Sequence, residues 1–427
     1  MAEGALPGFR DFYPEQFAER AFIMSVWRRV LRRYAFVEYD GPPLEPLDLY
    51  RKKSGDELVG QLYSFTDKGD REVAMRPEMT PTLARMVAAR ANALRKPVRW
   101  FSVPQLFRYE RQQKGRLREH FQLNADIVGE LGVTADAELL AVALDIVREF
   151  GLTSDDVNAR VSDRRLLQAL LSHAGIHPEA MAAVYSVIDK RGREPATVFR
   201  EKLVHAVSSD GKADAVESIL SCSTIDALES RFGDLPEASA HIQRMRCYLS
   251  FIESLGFAGW VKLDLSIVRG LAYYTGIVFE LFDTKGELRA ICGGGRYDTL
   301  LHTLGGVDLP ALGFGMGDVV IGELLRSRGL IPKAEQQIDY WIAAEDDSLV
   351  PEMMSVASRL RSKDKSVEYS LKSQQLSRQL KAAAASGAQK AVLIRRDAFA
   401  TGEVTLKDLN AGTERTLALD DLINSMT

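Results

Sequence analysis

At 427 residues the chain exceeds one ordinary compact core, and its length favours two or three domains. Hydrophobic residues make up 46% of it, enough to fill such cores, while a formal net charge of -4 excludes a protein that coats nucleic acid through bulk positive charge. The 3 cysteines, Cys222, Cys247 and Cys292, are too few and too scattered for a disulfide framework or a zinc cluster, so a reducing, cytoplasmic setting is expected.

The opening residues lack the pattern of a secretory leader, and no apolar run reaches membrane-spanning length, so no membrane partner is expected. Over residues 15–34 apolar side chains (Phe17, Ala21, Met24, Trp27, Val30, Leu31) recur at helical spacing with arginines between them, which predicts a long amphipathic helix. Short apolar runs at 36–38, 61–66 and 72–76, with the Gly41-Pro42-Pro43 break, predict antiparallel strands. A helix over 81–93, strands over 98–110 and 121–129 and a helix over 136–150 follow, without the beat of a parallel sheet.

From about 163 to 255 the pattern is almost purely helical and predicts an inserted helical subdomain. Strand character resumes at 261–267, 273–281 and 289–292, followed by a glycine-rich stretch and residues 311–325, which close an α+β domain spanning 1–325. The polar run 326–337, with Gly329 and Pro332, reads as a linker. Beyond it strands and helices alternate, predicting a small α/β domain around a mixed sheet over 338–427.

Three stretches carry chemistry. Between Arg108 and Arg118 there are five basic residues against one acid, on what reads as a strand–loop–strand hairpin; arginine's planar fork suits phosphate oxygens. The second strand of that hairpin offers Gln122, Asn124 and Asp126 at period two, so three polar groups share one face, unlike a strand face meant for a core. The stretch from Arg269 to Gly276 sets an arginine beside Tyr273 and Tyr274; it fits a ligand pocket and a packed turn equally well. Gly293 to Gly295 allows close backbone approach or a bulge. Glu78, in MRPEMT, suits either the first turn of a helix or a substrate ammonium.

Together GFRDFYPEQ, FRYERQQKGR, RGLAYYTG and the late QLSRQLKAAAASGAQKAVLI resemble the histidyl-tRNA synthetases, a family of class II aminoacyl-tRNA synthetases, over residues 8 to about 422. The resemblance implies a class II antiparallel sheet with flanking helices, a C-terminal anticodon-binding domain, and ATP-dependent ligation of L-histidine to its tRNA through a histidyl-adenylate. It implies that Arg108 grips the α-phosphate and carboxylate, Glu110 faces adenine, Arg116 reaches the outer phosphates and Arg269 supplies a second cation at the α-phosphate, with magnesium on the polyphosphate. Glu78, Thr80 and Gln122 would hold the amino-acid end, and Asp126, Tyr273 and Tyr274 the imidazole. Gln113 and Lys114 would lie near the tRNA acceptor end, and the helix leading to Pro42 and Glu45 resembles a dimer motif, implying a homodimer.

Two departures stand out. The third class motif, GFGMGDVVIGELL, has Val320 where an arginine is usual, and Asp126 and Ala272 replace the more frequent glutamate and aspartate. The alternative function is that of a catalytically inactive, histidine-sensing regulatory subunit of ATP phosphoribosyltransferase.

Overall fold

A computed structural model describes residues 4–51, 60–109, 117–269, 273–286, 288–333 and 338–426. The chain divides into two compact units, Met1–Pro332 and Lys333–Thr427.

The first unit opens with α1 (Pro14–Arg33), whose buried stripe of Ile23, Val26, Trp27, Val30 and Leu31 follows the predicted spacing. After β1 (Val37–Glu38), the strands β2 (Leu44–Pro46), β3 (Ser64–Thr66) and β4 (Glu72–Met75) form a small antiparallel sheet in the order β2-β4-β3. Helix α2 (Thr80–Arg90), strands β5 (Val98–Ser102), β6 (Gln105–Phe107) and β7 (Glu119–Val128), and helix α3 (Val133–Glu149) come next. Strand β8 (Val157–Asp163) leads into six helices, α4 (Arg164–His173), α5 (Pro178–Ile188), α6 (Ala196–Val207), α7 (Asp210–Leu220), α8 (Ile225–Phe232) and α9 (Pro236–Ser254). The unit returns through β9 (Val261–Leu263), β10 (Ile277–Asp283), β11 (Cys292–Arg296), α10 (Leu300–Gly305), β12 (Ala311–Gly317) and α11 (Asp318–Ser327).

These strands build a nine-stranded sheet in the order β1-β5-β7-β12-β11-β10-β8-β9, with β6 paired beside β5 on β7. Its centre, from β5 to β8, is antiparallel; only the outer pairs β1·β5 and β8·β9 are parallel. Side chains alternate across a sheet, and here one face carries Phe101, Leu123, Ala125, Ile127, Phe279, Leu281, Leu312, Phe314 and Met316. They pack against α1, α3 and the helices of the insertion in one continuous apolar cluster. Each of the larger ones contributes roughly 1.5–3 kcal/mol by leaving water.

Several elements differ from the expectation. The single strand expected over 98–110 is two: the ladder to β7 is interrupted around Pro104, which has no N–H to donate, and resumes in the same register at Gln105. Strand β8 was not anticipated, although its apolar Val157, Ala159 and Val161 alternate with Asn158, Arg160 and Ser162; it is buried at every position but Arg160. The strand expected over 261–267 ends at Leu263, where the Asp264 carboxylate accepts from the Ser266 N–H at 3.0 Å and turns the chain. The strand expected over 289–292 runs instead from Cys292 to Arg296 and includes all three glycines.

The second unit contains β13 (Ile338–Ala344), α12 (Val350–Arg361), β14 (Val367–Tyr369), α13 (Leu376–Ala385), β15 (Ala388–Ile394), α14 (Arg396–Ala400), β16 (Glu403–Asp408), β17 (Glu414–Ala418) and α15 (Leu419–Asn424). Its sheet, β14-β13-β15-β16-β17, is mixed: β13 runs parallel to β14 and β15, and the remaining pairs are antiparallel. Along β13, Tyr340, Ile342 and Ala344 face one apolar cluster while Trp341 and Ala343 face another, so this sheet is covered on both sides.

Candidate active site

The face of the nine-stranded sheet opposite its apolar cluster has a floor of bare backbone. Register places Asp126 of β7 beside Gly313 of β12, Asn124 beside Gly315 and Gln122 beside Gly317. On the next strand Gly313 pairs with Gly295, and Gly315 with Gly293. A Cβ added at Gly313 would lie 2.0 Å from Asp126 Oδ1, one at Gly315 2.6 Å from Gln122 Nε2, and one at Gly293 1.6 Å from Arg269 Nη1. Glycine at these positions is what lets the polar side chains lie flat on the sheet. The three-glycine run of β11 is thus a regular strand chosen for close approach, not a bulge.

On that floor the β7 side chains form a ladder. The Gln122 amide donates to Asn124 Oδ1 at 2.7 Å, and Asn124 Nδ2 donates back to the Gln122 carbonyl at 3.1 Å. His120, two residues earlier on the same face, lies 3.3 Å from Gln122 Oε1. Burial, followed by the neighbouring Arg108 charge, pulls the His120 pKa down to about 4, so its ring is neutral near pH 7. His120 escaped the sequence reading although the period-two pattern already included its position. At the ladder's far end the buried Asp126 carboxylate accepts from the Tyr297 hydroxyl. Tyr297, in the GGGRYD run, is a second residue the sequence reading missed.

Arg269 reaches the floor from the loop before β10. Its guanidinium donates to Glu280 Oε1 at 2.7 Å, and Glu280 is the register partner of Gly293. Burial works against the charge, but Tyr274 and Glu280 outweigh it and hold the guanidinium above its ordinary pKa. The backbone at Arg269 is left-handed, with φ of 54°. Tyr273 and Tyr274 differ in burial. Tyr274 is buried among Val98, Val128, Val278 and Leu300, with its ring 5.7 Å from the Arg269 guanidinium carbon. Tyr273 is half-buried, stacks on Tyr274 at 4.8 Å between centroids and meets Tyr297 edge-on at 6.0 Å. Burial, then Tyr274 and Glu78, push its phenol well above the ordinary range.

Arg108 continues the β6–β7 hairpin, its backbone N–H donating to the Arg118 carbonyl at 2.9 Å and its Nε to the Pro77 carbonyl at 3.0 Å. That second bond fixes the segment carrying Glu78 and Thr80. The buried Arg76 braces the same segment, donating to the Gln105 carbonyl at 3.0 Å and to Asp40 Oδ1 at 2.6 Å. From the opposite side Arg10 of the opening segment joins Glu119 at 2.6 Å to Asp318 at 2.9 Å, tying the starts of β7 and α11 together. Val320 on α11 packs against the apolar cluster. Glu110, Gln113, Lys114, Arg116 and Ala272 lie outside the described residues. Among the described residues no group of three or more His, Cys, Asp or Glu side chains is placed to hold a metal ion.

Arg269, the buried Asp126 and the amide ladder over a glycine floor make a polar, charge-bearing face with room for a small ligand. Comparison with known proteins narrows the reading. Residues 8–317 match the family described as histidyl-tRNA synthetase, and residues 330–427 match an anticodon binding domain. The chain is 44% identical to a histidine–tRNA ligase of Opitutus terrae over 96% of this chain and 94% of that one. It is 41% identical to the chloroplastic/mitochondrial histidine–tRNA ligase of Arabidopsis thaliana, over 97% and 85% of the two chains. In fold it superposes on the crystal structure of a histidyl-tRNA synthetase from Nostoc sp. with a TM-score of 0.84 and 22% identity, covering 100% of this chain and 99% of the other. The chain belongs to the histidyl-tRNA synthetase family.

Proposed function

We infer that this chain charges tRNA with histidine at the expense of ATP, and that the glycine-floored face is where the amino acid is activated. The observation that carries the reading is Arg269 lying on Gly293, with Gln122 and Asp126 reaching over the neighbouring glycines. In the first step an oxygen of the histidine carboxylate attacks the α-phosphorus of ATP and the bond to pyrophosphate breaks. In the second, the terminal ribose hydroxyl of the tRNA attacks the activated carbonyl and AMP leaves.

Negative charge grows on the α-phosphate in the first step, and preorganised cations in a water-poor site stabilise it more than they would in water. Arg108 and Arg269 serve here, Arg108 also meeting the histidine carboxylate. Glu110 and Arg116 hold adenine and the outer phosphates. Magnesium would arrive with the nucleotide and neutralise phosphate oxygens, keeping few protein ligands as it does in such sites.

Glu78, Thr80 and Gln122 take the ammonium end of histidine. Asp126, with Tyr273 and Tyr274, meets the imidazole, and Tyr297 keeps the carboxylate turned toward it. A pocket that hydrogen-bonds a ring N–H leaves its own groups unpaired when an apolar amino acid enters, which supports selection at this step. Gln113 and Lys114 reach the acceptor end of the tRNA, and the second unit reads the anticodon.

We further propose a homodimer. Phe17 of α1, Val37 of β1 and Leu44 of β2 leave large apolar side chains exposed on the segments that resemble the dimer motif, and sedimentation velocity tests this directly. A cytoplasmic location accords with free Cys222, Cys247 and Cys292; no described helix is long and apolar enough to cross a membrane. The regulatory-subunit alternative is the weaker reading, given ligase relatives over nearly the whole chain and a matched anticodon-binding domain. The deciding assay is histidine-dependent exchange of pyrophosphate into ATP, followed by charging of histidine tRNA. Histidine binding with neither exchange nor charging would favour the regulatory role.

A further inference from the structure

The segment that presents Arg269, Tyr273 and Tyr274 is gripped at both ends by two adjacent side chains on the first turn of the helical insertion. Asp163 caps α4, accepting from the backbone N–H of Arg165 at 2.7 Å and of Leu166 at 3.3 Å, and so fixes the directions in which Arg164 and Arg165 leave the helix. Arg164 Nη1 donates to the carbonyls of Val268 at 3.0 Å and Arg269 at 3.4 Å. Its guanidinium carbon lies 4.9 Å from the ring of Tyr185, on the next helix of the insertion. Arg165 Nε donates to the Thr275 carbonyl at 2.6 Å, and its Nη2 to Asp298 Oδ2 at 2.7 Å. The same Asp298 oxygen accepts from the Thr275 hydroxyl at 3.2 Å, while Arg296 Nη1 donates to its other oxygen at 3.2 Å.

These grips fall mainly on backbone carbonyls, so they place the chain rather than read its side chains. Arg269 needs such placement: its left-handed backbone is a conformation an L residue keeps only when its surroundings over-determine it. The backbone N–H and Nε of Arg108 donate to the Arg118 and Pro77 carbonyls, on the hairpin and on the segment before α2.

We infer that Arg164 and Arg165 are positioning residues that join the helical insertion to the amino-acid side of the site, so that the placement of the insertion sets the placement of Arg269, Tyr273 and Tyr274. This rests on the histidine-activating reading of the glycine-floored face. Displacing α4 relative to the sheet pulls on both ends of one short loop, and the hairpin carrying Arg108 stays where it is. Histidine recognition, and with it the contact of Arg269 to the charge that develops in the transition state, therefore responds to the insertion, while ground-state nucleotide binding at the hairpin that carries Arg108 does not.

The test is steady-state pyrophosphate exchange by the full chain, with histidine and ATP varied separately, in Arg164→Ala, Arg165→Ala, Arg165→Lys and Tyr185→Leu. Loss of a charge-assisted bond to a loop carbonyl is expected to raise the KM for histidine about tenfold in each alanine variant while the KM for ATP stays within about twofold. Arg165→Lys, which keeps one charged donor, recovers most of that loss. Tyr185→Leu, confined to the insertion, raises the histidine KM about threefold by loosening Arg164. The inference is overturned if both KM values rise together, if neither moves, or if lysine gives no recovery. Should an alanine variant fail to fold in a thermal melt, Arg165→Lys and Tyr185→Leu still decide the matter by the same histidine-against-ATP split. Absence of exchange in the unsubstituted chain would instead sink the activity reading.

Discussion

The two faces of the nine-stranded sheet are made by the same strands and differ in what they do with volume. On one face Leu123, Ala125, Ile127, Leu312, Phe314 and Met316 fill space against helices. On the other, one residue out of step, Gly313, Gly315 and Gly293 empty it, and Gln122, Asp126 and Arg269 occupy the room. The first face is stabilised by atoms added and the second is made useful by atoms withheld. A one-residue slip of β12 against β7 would exchange the two.

The sharpest way to break that comparison is Arg269→Ala. Losing a preorganised cation at the developing charge should lower pyrophosphate exchange about a thousandfold while the fold persists, as judged by circular dichroism. Exchange within a few-fold of the parent would remove Arg269 from the mechanism. Next in size is Gly293→Ala, whose new methyl would meet Arg269 Nη1 at 1.6 Å, the far end of a flexible side chain. The guanidinium yields rather than the sheet, so exchange should fall about 10- to 100-fold with stability changed by less than about 1 kcal/mol.

The neighbouring Gly294→Ala tests the other face, since its methyl would lie 2.5 Å from both the Gly313 carbonyl oxygen and Phe314 Cβ. Backbone cannot yield so cheaply, and chemical denaturation should show a loss of about 1–3 kcal/mol. If Gly293→Ala and Gly294→Ala prove alike in both assays, the distinction between the faces fails. An effect confined to acid pH concerns His120, whose pKa is lowered to about 4 from an ordinary 6.5. Between those values the unfolded chain binds the proton and the folded chain does not, so stability declines as pH falls from 6.5 toward 4, by up to about 3 kcal/mol, and levels off below. His120→Gln should flatten that part of the stability–pH curve; an unchanged slope would mean that His120 titrates normally.

Much of the site was legible in one dimension. Gln122, Asn124 and Asp126 at period two announced a polar strand face, which the ladder on β7 bears out. His120 lay on the same face but was passed over, because a lone histidine at a strand's start looks like any other. Tyr297 and Glu280 gave no signal: each matters through a partner on another element, Asp126 or Arg269, which only the fold brings to it. The roles of Tyr273 and Tyr274 were undecidable from adjacency alone, since packing and ligand binding ask for the same residue type.

Local chemistry written along the chain determined the amphipathic α1, the alternating β7, the helical insertion, the mixed sheet of the second unit and the family signature, since helical and strand periodicities need no distant partner. Tertiary structure decided which glycines face the site and which the core, because that depends on the register of β11 between β10 and β12. It also decided that Arg164 and Arg165, ordinary first-turn arginines in the sequence, hold a loop more than a hundred residues away. A hydrogen bond to a backbone carbonyl leaves no mark on the identity of the residue that accepts it, and that is why no reading of the sequence alone would have found the grip.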